Sequence, residues 1–253
     1  MFGSELIEDR VRNPKQKGPA IVPFITAGYP HKDDFLSLVQ ALADCADVIE
    51  IGVPFSDPMA DGVTIQRSSH LAIENGVRLR WILNQLKTIS IDTPIILMSY
   101  LNPLYVYGYT QLAQDSKDAG VDGFIVPDLP IEEGEELREI LKLAGLGMIQ
   151  LVTPATPEDR IKKIAAKSSG FLYAVTVKGV TGGYDGLPKE VTGYLKTVKA
   201  LTTIPVCAGF GVRSSSDVAL LEPLVDGVIV GSALVEAIED QVSPVDFLTS
   251  LRA

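Results

Sequence analysis

Glu50 is the residue whose surroundings best suit it to move a proton. It lies inside the apolar run Asp47-Val48-Ile49-Glu50-Ile51-Gly52-Val53-Pro54. In an extended strand successive side chains alternate between faces, so Val48, Glu50 and Gly52 share one side and Asp47, Ile49 and Ile51 the other. Where both faces of a strand are covered, Glu50 points either into the interior or toward a helix. An ionised carboxylate there is costly unless paired, and its pKa rises. A raised pKa suits a group that gives and takes a proton near neutral pH. The competing reading is a glutamate held structurally by a distant Lys or Arg. Just downstream, Phe55-Ser56-Asp57-Pro58-Met59-Ala60-Asp61-Gly62 carries two more acids. Asp-Pro and Asp-Gly are ordinary turn pairs. Beside a buried Glu, one of these aspartates also offers a second acid/base group in a different environment.

Two glycine turns suggest where an anion would sit. Gly209-Phe210-Gly211 and Gly231-Ser232 follow the last two apolar runs of the chain. Backbone N–H groups at such turns, and at the start of a helix opened by Ser232-Ala233-Leu234-Val235, bind an oxyanion without Lys or Arg. Turns with no ligand are the alternative. Lys178-Gly179-Val180-Thr181-Gly182-Gly183-Tyr184-Asp185-Gly186 reads as a lid or as a plain surface loop. Lys178 follows an apolar run and is a candidate Schiff-base lysine, with a solvated lysine as the competing reading. By parity it faces opposite to Tyr173. His31 and His70 stand alone in polar stretches and read as surface residues. Cys45 and Cys207 lie in apolar stretches and read as core.

These residues need a scaffold, and the chain supplies one repeatedly. Eight apolar runs recur, at 21–26, 48–53, 95–100, 123–126, 148–152, 171–177, 205–208 and 227–230. They are continuous rather than alternating, as in parallel strands buried on both faces. Most end in loop formers, among them Gly28-Tyr29-Pro30, Asn102-Pro103 and Pro127-Asp128. Between them Phe35, Leu36, Val39 and Leu42, then Leu137, Ile140, Leu141 and Ala144, then Ile161, Ile164 and Ala165 fall at helical spacing. Thr156-Pro157-Glu158 reads as N-cap, first-turn proline and first-turn acid. Eight strand–helix units predict a single (β/α)8 barrel over 1–253, with an extra N-terminal helix and a short extra helix after the eighth strand. A doubly wound sheet fits less well, because no GxGxxG follows the first strand. Val121-Asp122-Gly123-Phe124-Ile125-Val126 resembles Val225-Asp226-Gly227-Val228-Ile229-Val230. Repeated half-barrels would explain this; a common Asp-Gly lead into a strand is the reading we favour. In such barrels the active site lies at the C-terminal ends of the strands, where Glu50, Asp61 and both late glycine turns fall.

Composition narrows the class further. The 253 residues sum to a net charge of −10, and 46% are hydrophobic. An acidic chain without a basic cluster argues against nucleic acid or an anionic membrane as partner. Two well-separated cysteines make neither a disulfide framework nor a zinc site, so no metal is expected. No apolar stretch approaches the roughly 18 residues that span a bilayer. The start of the chain lacks the apolar run of a signal peptide, and a cytoplasmic location is expected.

Taken together, Pro23-Phe24-Ile25-Thr26-Ala27-Gly28-Tyr29-Pro30, the run from Glu50 to Gly62, Gly179-Val180-Thr181-Gly182 and Gly209-Phe210-Gly211-Val212 resemble the tryptophan synthase alpha subunit family. They occur in the family's order and span nearly the whole chain. The resemblance implies retro-aldol cleavage of indole-3-glycerol phosphate to indole and glyceraldehyde 3-phosphate, with no cofactor. It matches Glu50 to the proton shuttle, Asp61 to the carboxylate that stabilises positive charge at the indole N–H, and Tyr173 to a tyrosine beside the shuttle. Thr181 falls in the lid that closes over Asp61. Gly182, Phe210, Gly211, Gly231 and Ser232 match the phosphate cradle, and Phe24 and Tyr100 wall the indole. Asp57, Pro58, Asn102, Pro103, Asp128 and Pro130 would face a beta subunit in an alpha2beta2 heterotetramer. Val63 stands where the family pattern has proline. A stand-alone indole-producing lyase would share these motifs. A different phosphate-binding barrel aldolase using Lys178, or a purely regulatory chain, would be the other readings.

Overall fold

Each apolar run becomes a strand. In order they are β1 (Ala20–Thr26), β2 (Ile49–Gly52), β3 (Ile95–Met98), β4 (Gly123–Ile125), β5 (Gly147–Val152), β6 (Leu172–Val175), β7 (Val206–Gly209) and β8 (Gly227–Val230). All pairings are parallel, and β1 closes on β8 to complete a barrel in sequence order. The molecule is described by a computed structural model covering residues 2–176, 188–209 and 211–252. Its helices are α1 (Gly3–Arg12), α2 (Phe35–Cys45), α3 (Val63–Glu74), α4 (Leu79–Leu86), α5 (Leu101–Tyr107), α6 (Tyr109–Asp118), α7 (Glu135–Ala144), α8 (Glu158–Ala165), α9 (Lys189–Ala200), α10 (Ser215–Leu221), α11 (Ser232–Glu239) and α12 (Pro244–Ser250). The extra N-terminal helix is α1, and the short extra helix after the eighth strand is α11. Among the described residues, no helix is long and apolar enough to cross a membrane.

Strand parity sorts the apolar side chains into two cores. Ile21, Ile25, Ile49, Ile51 and Leu97 face outward and pack against the helices. Val22, Val48, Ile96, Ile125, Ile149, Phe171, Cys207 and Ile229 face inward and fill the barrel. Ile7 and Val11 of α1 join this inner cluster. They plug the end where the strands begin. A Cβ at Gly170 would come within 2.8 Å of Ile7, and one at Gly123 within 3.0 Å, so both glycines leave space for the plug. The plugged end leaves only the opposite, C-terminal mouth open for chemistry.

The similarity of the two Asp-Gly strands has a local cause. The Asp122 carboxylate accepts the Ile95 N–H at 2.9 Å, and Asp226 accepts the Val206 N–H at 2.8 Å. Each aspartate therefore satisfies the backbone donor that opens the preceding strand. The glycine that follows lies where a neighbour presses close: a Cβ at Gly227 would sit 2.7 Å from the Cys207 sulfur. Asp47 works in the same way on β1, accepting the Ile21 N–H at 2.8 Å. It is fully buried, accepts the Lys15 N–H at 2.6 Å and pairs with Arg252 at 2.6 Å.

One predicted cap differs. Helix α8 starts at Glu158 with Pro157 as its N-cap residue in an extended conformation. Thr156 is therefore one position outside the cap. Its hydroxyl instead accepts the Thr153 N–H at 3.0 Å, while the Pro157 carbonyl takes the first helical N–H groups, from Arg160 and Ile161. Both cysteines are free and buried, and His31 and His70 are exposed.

Asp47→Ala should lower unfolding free energy by about 3 kcal/mol or more, because it strands the buried Arg252 charge and two N–H donors. Chemical denaturation measures this. Loss of less than about 1 kcal/mol would mean the aspartate is not the anchor of the β1 edge.

Candidate active site

Glu50 points into the barrel. It pairs in register with Phe24 of β1 and Ile96 of β3, both inward-facing, and it is 1% exposed. Its Oε2 atom has no hydrogen-bond partner, and no cation reaches it among the described residues. The structural-glutamate reading therefore finds no support among those residues. Burial, reinforced by the nearby Asp61 charge, pushes the Glu50 carboxyl up to about 8.

Asp61 reaches the same space from the loop after β2. Helix α3 begins immediately beyond it, with Gly62 as an extended N-cap residue. Several hydrogen bonds hold the loop. The Ala60 N–H donates to the Tyr100 hydroxyl at 2.9 Å, the Asp61 N–H to the Pro58 carbonyl at 3.3 Å, and the Gln66 amide to the Asp61 carbonyl at 2.8 Å. Burial raises the Asp61 carboxyl to about 6, opposed by a hydrogen bond from Tyr100. Val63 is the first residue of α3 and is exposed. The position is one that proline fits without a lost hydrogen bond, so valine there leaves the helix start in place.

Tyr173 of β6 completes the group. Its phenol is raised well above its usual range by burial and then by the Glu50 charge, so it stays a neutral hydroxyl. It closes on Gly209 of β7, where a Cβ would lie 2.6 Å from the phenol oxygen. Gly52 does the same for Phe24, since a Cβ there would sit 2.4 Å from the ring. Two ring-bearing residues thus reach the mouth because two strands end in glycine.

These side chains line one cavity of about 240 Å³. Glu50, Asp61 and Tyr173 give it its titratable groups. The wall is apolar, built from Phe24, Ile65, Met98, Ile125, Pro127, Leu151, Val175 and Ile229. Gly211, Gly231 and Ser232 also line it. Gly211 takes a left-handed φ of +71°, and Gly231 is the N-cap residue of α11. The first N–H groups of that helix have no intrahelical acceptor, which suits an oxyanion. A larger hollow of about 700 Å³ lies outside the barrel by Tyr29, His31, Ser37 and Gln241 and gathers none of the candidate residues.

Sequence reasoning does not identify Met98, Ile125, Leu151 or Ile229 as lining residues, and it reads Gly209 only as part of a turn. All are inward-facing positions at or near the end of a strand, so strand parity extended to every run would have found them. Tyr100 stands behind Asp61 in a small side hollow and stacks on Phe55 with ring centres 5.1 Å apart. It braces the Asp61 loop more than it walls the main cavity. Asp57, Asn102 and Pro130 are exposed, and Pro58 and Pro103 half-buried. Asp128 uses its carboxylate on the Leu101 N–H at 2.9 Å, at the start of α5. Lys178, Thr181, Gly182 and Phe210 lie outside the described residues. Thr176, just before that segment, donates both its N–H and its hydroxyl to the Gly209 carbonyl, at 3.0 and 2.8 Å.

The family model of the tryptophan synthase alpha chain matches residues 11–247. The chain belongs to that family. A tryptophan synthase alpha chain from Nitratidesulfovibrio vulgaris (strain DP4) is 43% identical over 237 residues, which cover 92% of each chain. The crystal structure of the alpha subunit from Legionella pneumophila str. Paris superposes with a TM-score of 0.87 at 34% identity, covering 100% of this chain and 97% of that one. A tryptophan synthase complex from Pyrococcus furiosus contains a similar chain, with a TM-score of 0.81 at 38% identity, covering 92% and 96%. Members of the tryptophan synthase alpha family are lyases that cleave indole-3-glycerol phosphate in tryptophan biosynthesis.

Burial of Glu50 makes a thermodynamic prediction. Below about pH 4.5, its ordinary value, the carboxyl is protonated in folded and unfolded chains alike and carries no penalty. Between there and about 8 the unfolded chain loses the proton while the folded chain keeps it, so stability falls as pH rises. Glu50→Gln should therefore gain stability on the order of a few kcal/mol at pH 8 and almost none at pH 4. Denaturant midpoints across that range measure it; equal effects at both ends would remove the raised pKa.

Proposed function

We propose that this chain performs the retro-aldol cleavage of indole-3-glycerol phosphate with Glu50 and Asp61 as its two working carboxyl groups. The observation that carries this reading is that Glu50, which no cation reaches among the described residues and whose carboxyl burial keeps protonated, shares one apolar-walled cavity with a more acidic Asp61. The neutral Glu50 carboxyl gives its proton to indole C3. The resulting cation, centred on the ring nitrogen, is stabilised by the Asp61 carboxylate. Glu50, now ionised, removes the proton from the side-chain hydroxyl next to C3. The carbonyl of glyceraldehyde 3-phosphate forms, the C–C bond breaks, and its electron pair restores the aromatic ring as indole leaves. Glu50 ends protonated, as it began, so no other proton donor is consumed.

The remaining roles follow from position. Tyr173 presents a neutral hydroxyl beside the shuttle. Phe24, Met98, Ile125 and Leu151 offer the flat ring an apolar wall. Gly211, Gly231 and Ser232 offer N–H groups to the phosphate. Gly182 and Phe210 belong to the same cradle and Thr181 to the lid on the family's pattern. We read residues 1–253 as one domain. A cytoplasmic location fits the two free cysteines and a biosynthetic reaction.

A beta subunit fits the face carrying Asp57, Pro58, Asn102, Pro103, Asp128 and Pro130. Apolar side chains stand exposed on the same elements: Met59 at 82% in the loop after β2, and Tyr105 at 70% and Val106 at 77% on α5. Residues of this type at a protein surface mark an interaction site when they cluster. Steady-state release of glyceraldehyde 3-phosphate should rise when the beta subunit is added. Fast turnover indifferent to the partner would instead mark a stand-alone lyase.

The two carboxyl groups set a pH window. Turnover needs Asp61 ionised and Glu50 protonated, so kcat/KM should rise through about pH 6 and fall through about pH 8. Glu50→Gln should lower kcat by at least about 100-fold. A rate that keeps climbing past pH 8, or a variant with wild-type turnover, would overturn the role given to Glu50.

A further inference from the structure

We propose that Glu236 is a positioning residue that ties the start of α3, just after Asp61, to the loop carrying Gly211, each through one oxygen of its carboxylate. The proposal rests on the roles given above to Asp61 and to the phosphate cradle. Glu236 lies on α11, one turn beyond Gly231 and Ser232. Its Oε1 accepts the Thr64 hydroxyl at 3.0 Å. Thr64 is the second residue of α3, three positions after Asp61. Its Oε2 accepts from the Arg213 guanidinium at 2.7 Å. Arg213 follows Gly211 by two residues and begins the loop that Asp217 fastens by accepting the Arg213 N–H at 2.9 Å. One carboxylate therefore bridges the helix that opens behind Asp61, the loop that carries Gly211, and the helix whose N-terminus faces the phosphate.

The arrangement is reinforced one turn further along both helices. Arg67 of α3 donates to Glu239 of α11 at 2.7 Å, and the Tyr29 hydroxyl donates to the same carboxylate. Glu239 thus holds the two helices together at their far end. Glu236 is the link nearer Asp61 along α3, and of the two glutamates it is the one that reaches the Gly211 loop among the described residues. None of these groups touches the cavity, so the carboxylate acts through Asp61 and the cradle rather than on the substrate. Misplacement of a working group by an ångström costs far more rate than the same hydrogen bond contributes to stability. A half-exposed link can therefore matter little to folding and much to turnover.

Each oxygen predicts its own kinetic defect. Thr64→Val removes the link to the Asp61 side and should lower kcat about ten-fold with little change in KM. Arg213→Ala removes the link to the Gly211 loop and should raise KM for indole-3-glycerol phosphate about five-fold with little change in kcat. Glu236→Ala should show both defects. Glu236→Gln keeps a carbonyl oxygen for Thr64 and loses the charge facing Arg213, so it should copy Arg213→Ala and restore kcat. Adding Thr64→Val to Glu236→Ala should lower kcat no further. All are measured on the full chain with its beta subunit, alongside denaturation midpoints to establish that each variant is folded. Folded variants with kcat and KM both within two-fold of wild type would reduce Glu236 to a structural link and overturn the proposal. So would the same defect in Thr64→Val and Arg213→Ala. Asp61→Asn serves as the control: if it left turnover intact, the role given to Asp61 would fail, whatever Glu236 does.

Discussion

An acid buried inside an apolar barrel, with no cation to answer it among the described residues, is the constraint on which this molecule turns. A charged Glu50 at 1% exposure would destabilise the fold, and the protein avoids this by holding the group protonated. Protonation is also the state that the proposed chemistry needs at its first step. Stability and catalysis therefore draw on the same burial, in opposite directions. The barrel supplies that burial from all sides. Phe24 and Ile96 flank Glu50 in register, and Ile7 and Val11 of α1 close the far end. Asp61 is less deeply buried and takes a hydrogen bond from Tyr100, which keeps its carboxyl near 6 against about 8 for Glu50. In the proposed reaction this separation suits Glu50 to donate and Asp61 to stabilise.

The mouth of the barrel is built from close approaches as much as from side chains. Gly209 lets Tyr173 lie down against β7, and Gly52 lets Phe24 swing over β2. Helix α3 starts directly behind Asp61, and α11 starts directly behind Gly231. The carboxylates of α11 then bind α3 back to it. On the proposed reading, substrate positioning rests on two helix starts and their cross-links, carried on strands packed on both faces.

Much of this was legible in the chain before any coordinates. The eight strands stood out because parallel strands buried on both faces read as unbroken apolar runs. Glu50 stood out because a charge interrupts such a run. Its direction was left open, since parity alone separates two faces without saying which is interior; packing of Val48 into the inner cluster decides it. Pro157 was misplaced by one position because Thr-Pro-Glu suits two neighbouring registers, and the Thr153 turn takes the threonine. The link from Glu236 to Thr64 was out of reach, because 172 residues separate the partners and neither interrupts a pattern. Gly209 looked like a turn former, and its actual duty depends on a side chain from another strand.

The most direct test is the titration of Glu50 itself. Carbon-13 labelling of the glutamate carboxyls, with Glu50→Gln to assign the resonance, follows its proton without reference to turnover. The account predicts a midpoint of about 8, far above the other glutamates, and a downward move in Asp61→Asn because one neighbouring charge is gone. A midpoint near 4.5, the ordinary value, would show that the carboxylate is answered by a cation or water, and the division of labour between Glu50 and Asp61 would fall with it.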